Sequence, residues 1–426
     1  MELAIHHYRV DSVEFKAPTA FSAGCLQVDP DELRQYLQSR PELAGFRVGE
    51  MAWARPGEPV RVVNIFDVVP AYFRLGADAV QYPGAISPIR PVGQGTSAFI
   101  ENLDVLVLNR RPNRNNKLLD LSGPGAQWTP QAERFHLAVD LEPVDPQMSD
   151  GAYWGALKRL GLLTGTYLAR AASQAVAQTT ACYRLDAVSP QLPRVAYVFM
   201  LASHQRPEPG QPVLYGDDVS GLLPTLLHPN EVLDGAVVSP YWNLGVDMWS
   251  YQRNPVVLEL YARHGVDLAF AGVVATVAHA TRPARQRSVT MAAHLVRYHL
   301  GADAAIVTKV GGGIPESDVM MTLEALEELN VRTSGVIWSH LGEGGVEDSL
   351  TAYSPRADAL VSAGIFDDWV DLPAMPRVIG GEQAGPFSDD ANELPKPASG
   401  PLRVQFRHIS GAINQLGGSR VSQVAY

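Results

Sequence analysis

An α/β fold is what this sequence predicts, on two observations. Residues 1 to about 145 carry short β-branched segments between Gly and Pro punctuation, and the last third alternates strand and helix signals at the spacing of parallel βαβ units. Together they imply a β-rich N-terminal domain (1–145) and a stretch of helix, buried strand and crossover (146–245). A Rossmann-like, doubly wound parallel-sheet domain with a C-terminal tail (246–426) follows.

The first third supplies His6-His7-Tyr8-Arg9-Val10, Val60-Arg61-Val62-Val63-Asn64-Ile65 and Leu103-Asp104-Val105-Leu106-Val107-Leu108 as strands. One helix interrupts them: Asp29 is an N-cap, Pro30 stands at the first helical position, and Asp31 and Glu32 suit the positive end of the helix dipole. The loop from Leu121 to Pro130, with Gly123 and Gly125, reads as a rigid connector. Tyr153, Leu157, Leu160 and Leu163, then Tyr167, Ala171 and Ala175, mark one face of a helix from Ser149 to about Gln178. Cys182, just after it, reads as a buried small hydrophobe, and Arg194 to Ala202 as a fully buried strand.

In the last third, strands are expected at 268–275, 304–308, 331–338 and 359–362, with helices at 288–300 and 317–329. Ligands in such a sheet gather beyond the carboxyl ends of the strands, here the loops 276–287, 309–318 and 339–345. Gly311-Gly312-Gly313 matches neither dinucleotide nor P-loop spacing, and Glu316 and Asp318 stand where a phosphate needs positive charge. An amine or other cation is the better match, so Gly311, Gly312, Gly313, Glu316, Asp318 and His340 are candidate substrate-binding residues. His340 and Glu343 form a second polar pair at this edge.

Composition narrows the function. Lys and Arg number 34 against 45 Asp and Glu, a net charge of −11, which argues against nucleic acid or an anionic membrane as partner. No basic segment leads into an apolar run at the start and no apolar run is long enough to span a bilayer, so a soluble cytoplasmic protein is expected. The two cysteines, Cys25 and Cys182, support neither a disulfide framework nor a thiolate metal site.

The densest polar stretch is Pro224 to Gly245, which sets His228, Asn230, Glu231, Asp234, Ser239 and Tyr241 among apolar residues between the two halves. A junction of this kind is a usual place for a pocket. The alternative is a polar crossover in which His228 and Asn230 fix turns around Pro229 and Asp234-Gly235 makes a tight bend. On the first reading His228 is an acid–base group, Glu231 and Asp234 orient a cation or hold His228, and Tyr241 and Asn243 donate hydrogen bonds. A metal held by His228 with Glu231 or Asp234 needs His279 or His340 to complete its ligands, so no metal site is assigned.

Several strings resemble one family. They are Ala54-Arg-Pro-Gly-Glu58, Asp120-Leu-Ser-Gly-Pro-Gly-Ala126, Leu192-Pro-Arg-Val-Ala-Tyr-Val198, His228-Pro-Asn-Glu-Val-Leu-Asp-Gly-Ala236, the segment from Asn254 to Gly265, Pro315-Glu-Ser-Asp318, Ala357-Asp-Ala-Leu-Val-Ser362 and the tail from Ile409 to Gly417. In this order they resemble the α/β proprotein of component B of the glycine, sarcosine and betaine reductases, related also to the D-proline reductase proprotein. The resemblance implies a proprotein that cleaves itself before a cysteine, which becomes a pyruvoyl group. That ketone holds the substrate amine as a Schiff base, and a thiol- or selenol-bearing subunit breaks the C–N bond.

This chain has Val238-Ser-Pro-Tyr-Trp-Asn-Leu-Gly245 where the family cysteine is expected. The reading is therefore an oligomeric reductase-like subunit without a pyruvoyl group, acting on a small amine or carboxylate with a thiol or selenol partner, and with no cofactor assigned. Ser239 is the one formal candidate for a serine-derived ketone. The alternatives are a noncatalytic scaffold for a catalytic partner, or a metal-dependent enzyme on the same fold.

Overall fold

A computed structural model describes residues 1–111, 113, 115–204, 211–240, 246–341, 349–387, 393–421 and 423–425, the last three by backbone alone. Tyr241, Asn243 and Glu343 lie outside the described residues. The fold is mixed α/β, with parallel pairing in both large sheets.

The chain opens with β1 (Leu3–Tyr8), two positions or so ahead of the strand expected at 6–10. Three short strands, β2 (Ser12–Phe15), β3 (Ala20–Ser22) and β4 (Cys25–Val28), make a small sheet of their own. Helix α1 (Pro30–Gln38) begins as its caps require: the Asp29 carboxylate accepts from the backbone N–H groups of Asp31 and Glu32, and Leu33 and Leu37 turn into the core. Then come β5 (Phe46–Ala54), β6 (Val60–Arg74), β7 (Gly95–Leu108), β8 (Lys117–Asp120) and β9 (Phe135–Pro143). Helix α2 (Asp150–Ala172), capped by Ser149, lies across β6, β7 and β9.

Strand β10 (Thr179–Tyr183) closes one edge of this first sheet against β1. Cys182 is exposed there, which corrects the expectation of burial: an edge strand covered on one side only leaves alternate side chains in water.

The second sheet starts with β11 (Arg194–Ser203) and continues through β12 (Thr225–Leu227) and three helices, α3 (Pro229–Leu233), α4 (Met248–Gln252) and α5 (Pro255–Arg263). Next come β13 (Ala269–Ala278), α6 (Arg282–His294), β14 (Ala304–Thr308), α7 (Ile314–Glu328), β15 (Arg332–Ser339) and β16 (Ala359–Ile365). The order β13-β11-β14-β15-β16 is parallel, while β12 adds antiparallel at one edge. Both faces of β11 are buried. Tyr197, Phe199 and Leu201 join the core shared with the first sheet, and Ala196, Val198 and Met200 pack under α6 and α7. Helices α6 and α7 begin six and three residues earlier than the sequence predicts, because Pro283 and Pro315 fit the first turn rather than the preceding loop.

The tail holds β17 (Trp369–Leu372), β18 (Arg377–Ile379), β19 (Gln383–Ala384), β20 (Lys396–Pro397), β21 (Leu402–Gln405) and β22 (Gln423–Ala425). It returns to both sheets: β18 pairs with β6 of the first, and β22 with β16 of the second. A buried ion pair fastens it. Arg61 on β6 grips both oxygens of Asp120, at 2.6 and 2.8 Å, and donates also to the carbonyls of Pro373, Ala398 and Gly400. Among the described residues no helix is long and apolar enough to cross a membrane.

Candidate functional site

The crossover is built on local capping. His228 is the N-cap of α3: its Nδ1 accepts from the Asn230 N–H at 3.2 Å, and the Glu231 carboxylate returns to the His228 N–H at 2.7 Å. An accepting Nδ1 requires a neutral ring with the proton on Nε2. Burial, with a smaller push from the Met1 amino group, pulls the imidazole down to about 4. The Glu231 carboxylate also accepts from the Tyr215 hydroxyl at 2.7 Å. Asn230 is buried and bonds the carbonyls of Gly93 and Tyr183 and the hydroxyl of Tyr261.

Asp234, 1% exposed, ends α3 as a junction of four groups. It accepts from the Tyr72 hydroxyl at 2.7 Å, the Ser97 hydroxyl at 3.0 Å and the Gly93 N–H at 2.6 Å, and pairs with Arg74 at 2.8 Å. Burial raises its carboxyl and Arg74 opposes that shift. Gly235 follows at φ 85°, with Tyr82 so close that a Cβ would come within 2.9 Å of its ring, so the tight bend expected at Asp234-Gly235 is present and needs glycine.

The folded histidine takes up a proton less readily than the unfolded one, so His228 contributes stability above pH 6.5 that is lost as pH falls toward 4. His228→Asn keeps an acceptor at the cap and is expected to leave stability at pH 7 within about 0.5 kcal/mol of wild type. The acid loss should become shallower, as read by urea denaturation at pH 7, 5.5 and 4.5. An unchanged acid slope would assign that loss to another group.

A second cluster lies where the crossover meets the first sheet. Lys158 of α2, 2% exposed, ion-pairs with Asp67 of β6 and donates to the Ser239 hydroxyl at 2.7 Å. Asp67 further accepts from the Val68 and Met248 N–H groups at 3.0 and 2.9 Å. Lys117 is a second buried ammonium, lowered by burial, with Asp247 and Asp67 as the charges that oppose the shift. Neither Lys158 nor Asp67 was singled out by sequence reasoning. For Asp67 the signal is a single charge among apolar residues, Val63-Asn-Ile-Phe-Asp-Val68; for Lys158, beside Arg159 in Gly155-Ala-Leu-Lys-Arg-Leu160, the sequence carries no such signal.

The third cluster is at the carboxyl edge of the second sheet. Lys309, fully buried at the end of β14, donates to the Gly311 carbonyl at 2.8 Å and to Glu316 at 3.1 Å, and its ammonium sits 3.8 Å from the centre of the Trp338 ring. Burial brings it down to about 8 against the pull of Glu316. Gly312 packs on Trp338 with no room for a Cβ, Gly311 donates to Gln415 at 2.9 Å, and Glu316 reaches back to the Gly313 N–H at 3.4 Å. Asp318 ion-pairs with Arg285 of α6. His340 lies 3.5 Å from Asp367 and 3.4 Å from the Thr351 hydroxyl.

The structure thus places His228, Glu231 and Asp234 on one short helix, and separately gathers Gly311, Gly312, Gly313 and Glu316 around Lys309 and Trp338, while Asp318 on Arg285 and His340 beside Asp367 have partners of their own. The side-chain partners named for the two groups do not overlap. Among the described residues no three His, Cys, Asp or Glu side chains are placed to hold a metal ion; His279 is bonded to the Leu222 carbonyl.

A family model for "Glycine/sarcosine/betaine reductase component B subunits" matches residues 1–423. The glycine reductase complex component B subunits alpha and beta of Peptoclostridium acidaminophilum are 30% identical over 440 residues, covering 100% of both chains. The sarcosine reductase complex component B subunit alpha of the same organism is 28% identical, over 89% of each chain. Its betaine reductase complex component B subunit alpha is 27% identical, over 89% of this chain and 88% of its own. No solved structure matches. The chain belongs to the glycine/sarcosine/betaine reductase component B family.

Proposed function

We propose that this chain is a subunit of a cytoplasmic, oligomeric reductase complex of the component B kind. It acts on a small amine or carboxylate, cleaving or forming a C–N or other C–heteroatom bond with a thiol- or selenol-bearing partner subunit, and without a pyruvoyl group. The proposal extends to the domain limits at 145 and 245 and to a Rossmann-like C-terminal domain, although contacts cross both limits: α2 packs on the first sheet and β11 is central in the second.

The observation that carries the reading is the placement of the two cysteines against a family match over residues 1–423. Cys25 sits in β4 and Cys182 at an exposed edge, whereas the crossover offers only the buried Ser239. Without a thiol there is no N→S acyl shift to make a ketone. The Ser239 hydroxyl also receives a hydrogen bond from the Lys158 ammonium, which is a donor there and not a base that removes the hydroxyl proton. In this reading His228 works through Nε2, its Nδ1 being used by the cap. Glu231 and Asp234 are the carboxylates that orient a cation or hold His228, and Tyr241 and Asn243 are the proposed hydrogen-bond donors. At the sheet edge Gly311, Gly312, Gly313, Glu316, Asp318 and His340 remain the proposed substrate contacts.

A scaffold role is the second reading. One observation favours it: His228, Asn230, Glu231 and Asp234 all have partners within the fold.

Intact mass before and after borohydride or a hydrazine tests the first reading. A single unreactive chain near 46.1 kDa is expected. Two fragments joined near Ser239, one taking up the reagent, would restore the pyruvoyl route.

A further inference from the structure

We propose that Arg253 and His7 form a binding site for a small carboxylate against the ring of Phe99, between the two sheets. Arg253 follows α4 and is only 9% exposed, yet its guanidinium has no carboxylate partner among the described residues, and its buried Nη1 has no hydrogen-bond acceptor. Arg61, Lys158 and Lys309 are each paired with a carboxylate, and the buried ammonium of Lys117 has at least the Val246 carbonyl as an acceptor at 3.4 Å. A buried guanidinium without a counter-charge is destabilising. The Phe99 face, 4.4 Å from the guanidinium carbon, offsets only part of that.

His7 completes the cradle. It is the direct partner of Phe99 in the β1–β7 pairing, stands edge-on to that ring at 5.7 Å, and is 8% exposed. Its Nδ1 is bound to Glu101 at 2.9 Å, while its Nε2 is buried and has no partner. Thus the Nη1–H donor of Arg253 and the Nε2 of His7, which becomes a second donor once the ring is protonated, share one aromatic neighbour. Ser97, two residues along the same face of β7, bonds Asp234, which sets the site beside α3.

The ligand class follows from charge. One guanidinium matches one negative charge and the flat shape of a carboxylate. Phosphate is tetrahedral rather than flat, and as the dianion that prevails at pH 8 it would leave a surplus charge in a buried place. The charged and titratable groups around His7 are Glu101 on β7, Arg253 after α4 and its neighbour His6; burial and Arg253 keep its pKa below the ordinary value. A bound anion opposes both effects, so protonation of His7 and anion binding reinforce each other and affinity rises as pH falls. The site needs no turnover, so it stands or falls apart from the reductase reading.

The test is the denaturation midpoint of the purified full chain against acetate at constant ionic strength, at pH 8 and pH 6, with inorganic phosphate as the second probe. Acetate is expected to raise the midpoint in wild type, more strongly at pH 6. Arg253→Gln should weaken the apparent affinity at least tenfold while being no less stable than wild type without acetate. His7→Gln should remove the gain between pH 8 and pH 6. No acetate effect in wild type, an unchanged effect in Arg253→Gln, or a phosphate effect equal to that of acetate would each overturn the proposal. So would an Arg253→Gln chain that is destabilised or fails to fold without acetate, since the charge would then already have its partner.

Discussion

Replacing Asp120 with alanine is expected to lower the stability of this chain by about 3–5 kcal/mol, read as a shift in urea denaturation. Arg61 and Asp120 are both essentially without solvent exposure, at 0% and 1%, so neither charge has water to fall back on. Removing the carboxylate leaves a guanidinium whose remaining acceptors are the carbonyls of Pro373, Ala398 and Gly400. The same arginine then holds the returning tail with an uncompensated charge. Faster proteolytic cleavage between residues 373 and 400 is expected alongside the stability loss. The double variant Asp120→Leu, Arg61→Met removes both charges together and should recover much of the loss, since the penalty lies in leaving one partner behind. A loss of under about 1 kcal/mol in Asp120→Ala would show that the pair does not carry the joint.

The second large effect is expected at Asp67. Asp67→Asn leaves the Lys158 ammonium buried without a counter-charge, with the asparagine carbonyl oxygen and the Ser239 hydroxyl as neutral acceptors, close to a second buried ammonium at Lys117, and should also cost about 3–5 kcal/mol. The reverse variant behaves differently with pH. Burial already raises the Asp67 carboxyl above 3.8, and Lys158 is the largest opposing influence. Lys158→Met removes that influence, so the carboxyl stays protonated to higher pH in the folded state. A folded pKa above the unfolded one means that stability is lost as pH rises from 3.8 through the folded value. Lys158→Met is therefore expected to be milder at pH 5 than at pH 8, and the difference should vanish in the double variant with Asp67→Asn. Equal losses at both pH values would show that the carboxylate is held ionised by other groups, the Met248 and Val68 N–H donors among them.

Whether the crossover is catalytic or structural turns on how its residues are used. His228 and Glu231 are three residues apart, the spacing of a reciprocal helix cap, and the fold uses them that way. Asp234 is different: its partners Tyr72, Arg74, Gly93 and Ser97 come from 137 to 162 positions earlier in the chain, apart from the local bend it makes with Gly235. A carboxylate with four donors is a strong organiser of the junction. Any catalytic part for it in the proposed reaction must be compatible with those bonds.

The sequence by itself determined what depends on neighbours along the chain. Asp29-Pro30 and Ser149 announced two helix starts, and the β-branched runs announced β6, β7, β11 and β14. The alternation of strand and helix announced the parallel order of the second sheet. Caps and hydrophobic periods act over three or four residues, so they can be read without knowing the fold. Tertiary structure alone decided which charges meet. Arg61 finds Asp120 across 59 positions, Lys158 finds Asp67 across 91, and Arg253 reaches Phe99 with no carboxylate partner among the described residues. Tertiary structure also decided that Cys182 faces solvent, because the sheet ends at β10, and that the tail from Trp369 onward belongs to both sheets. The reason is the same in each case: a buried charge or a sheet edge is defined by what lies across space, and chain spacing carries no record of it.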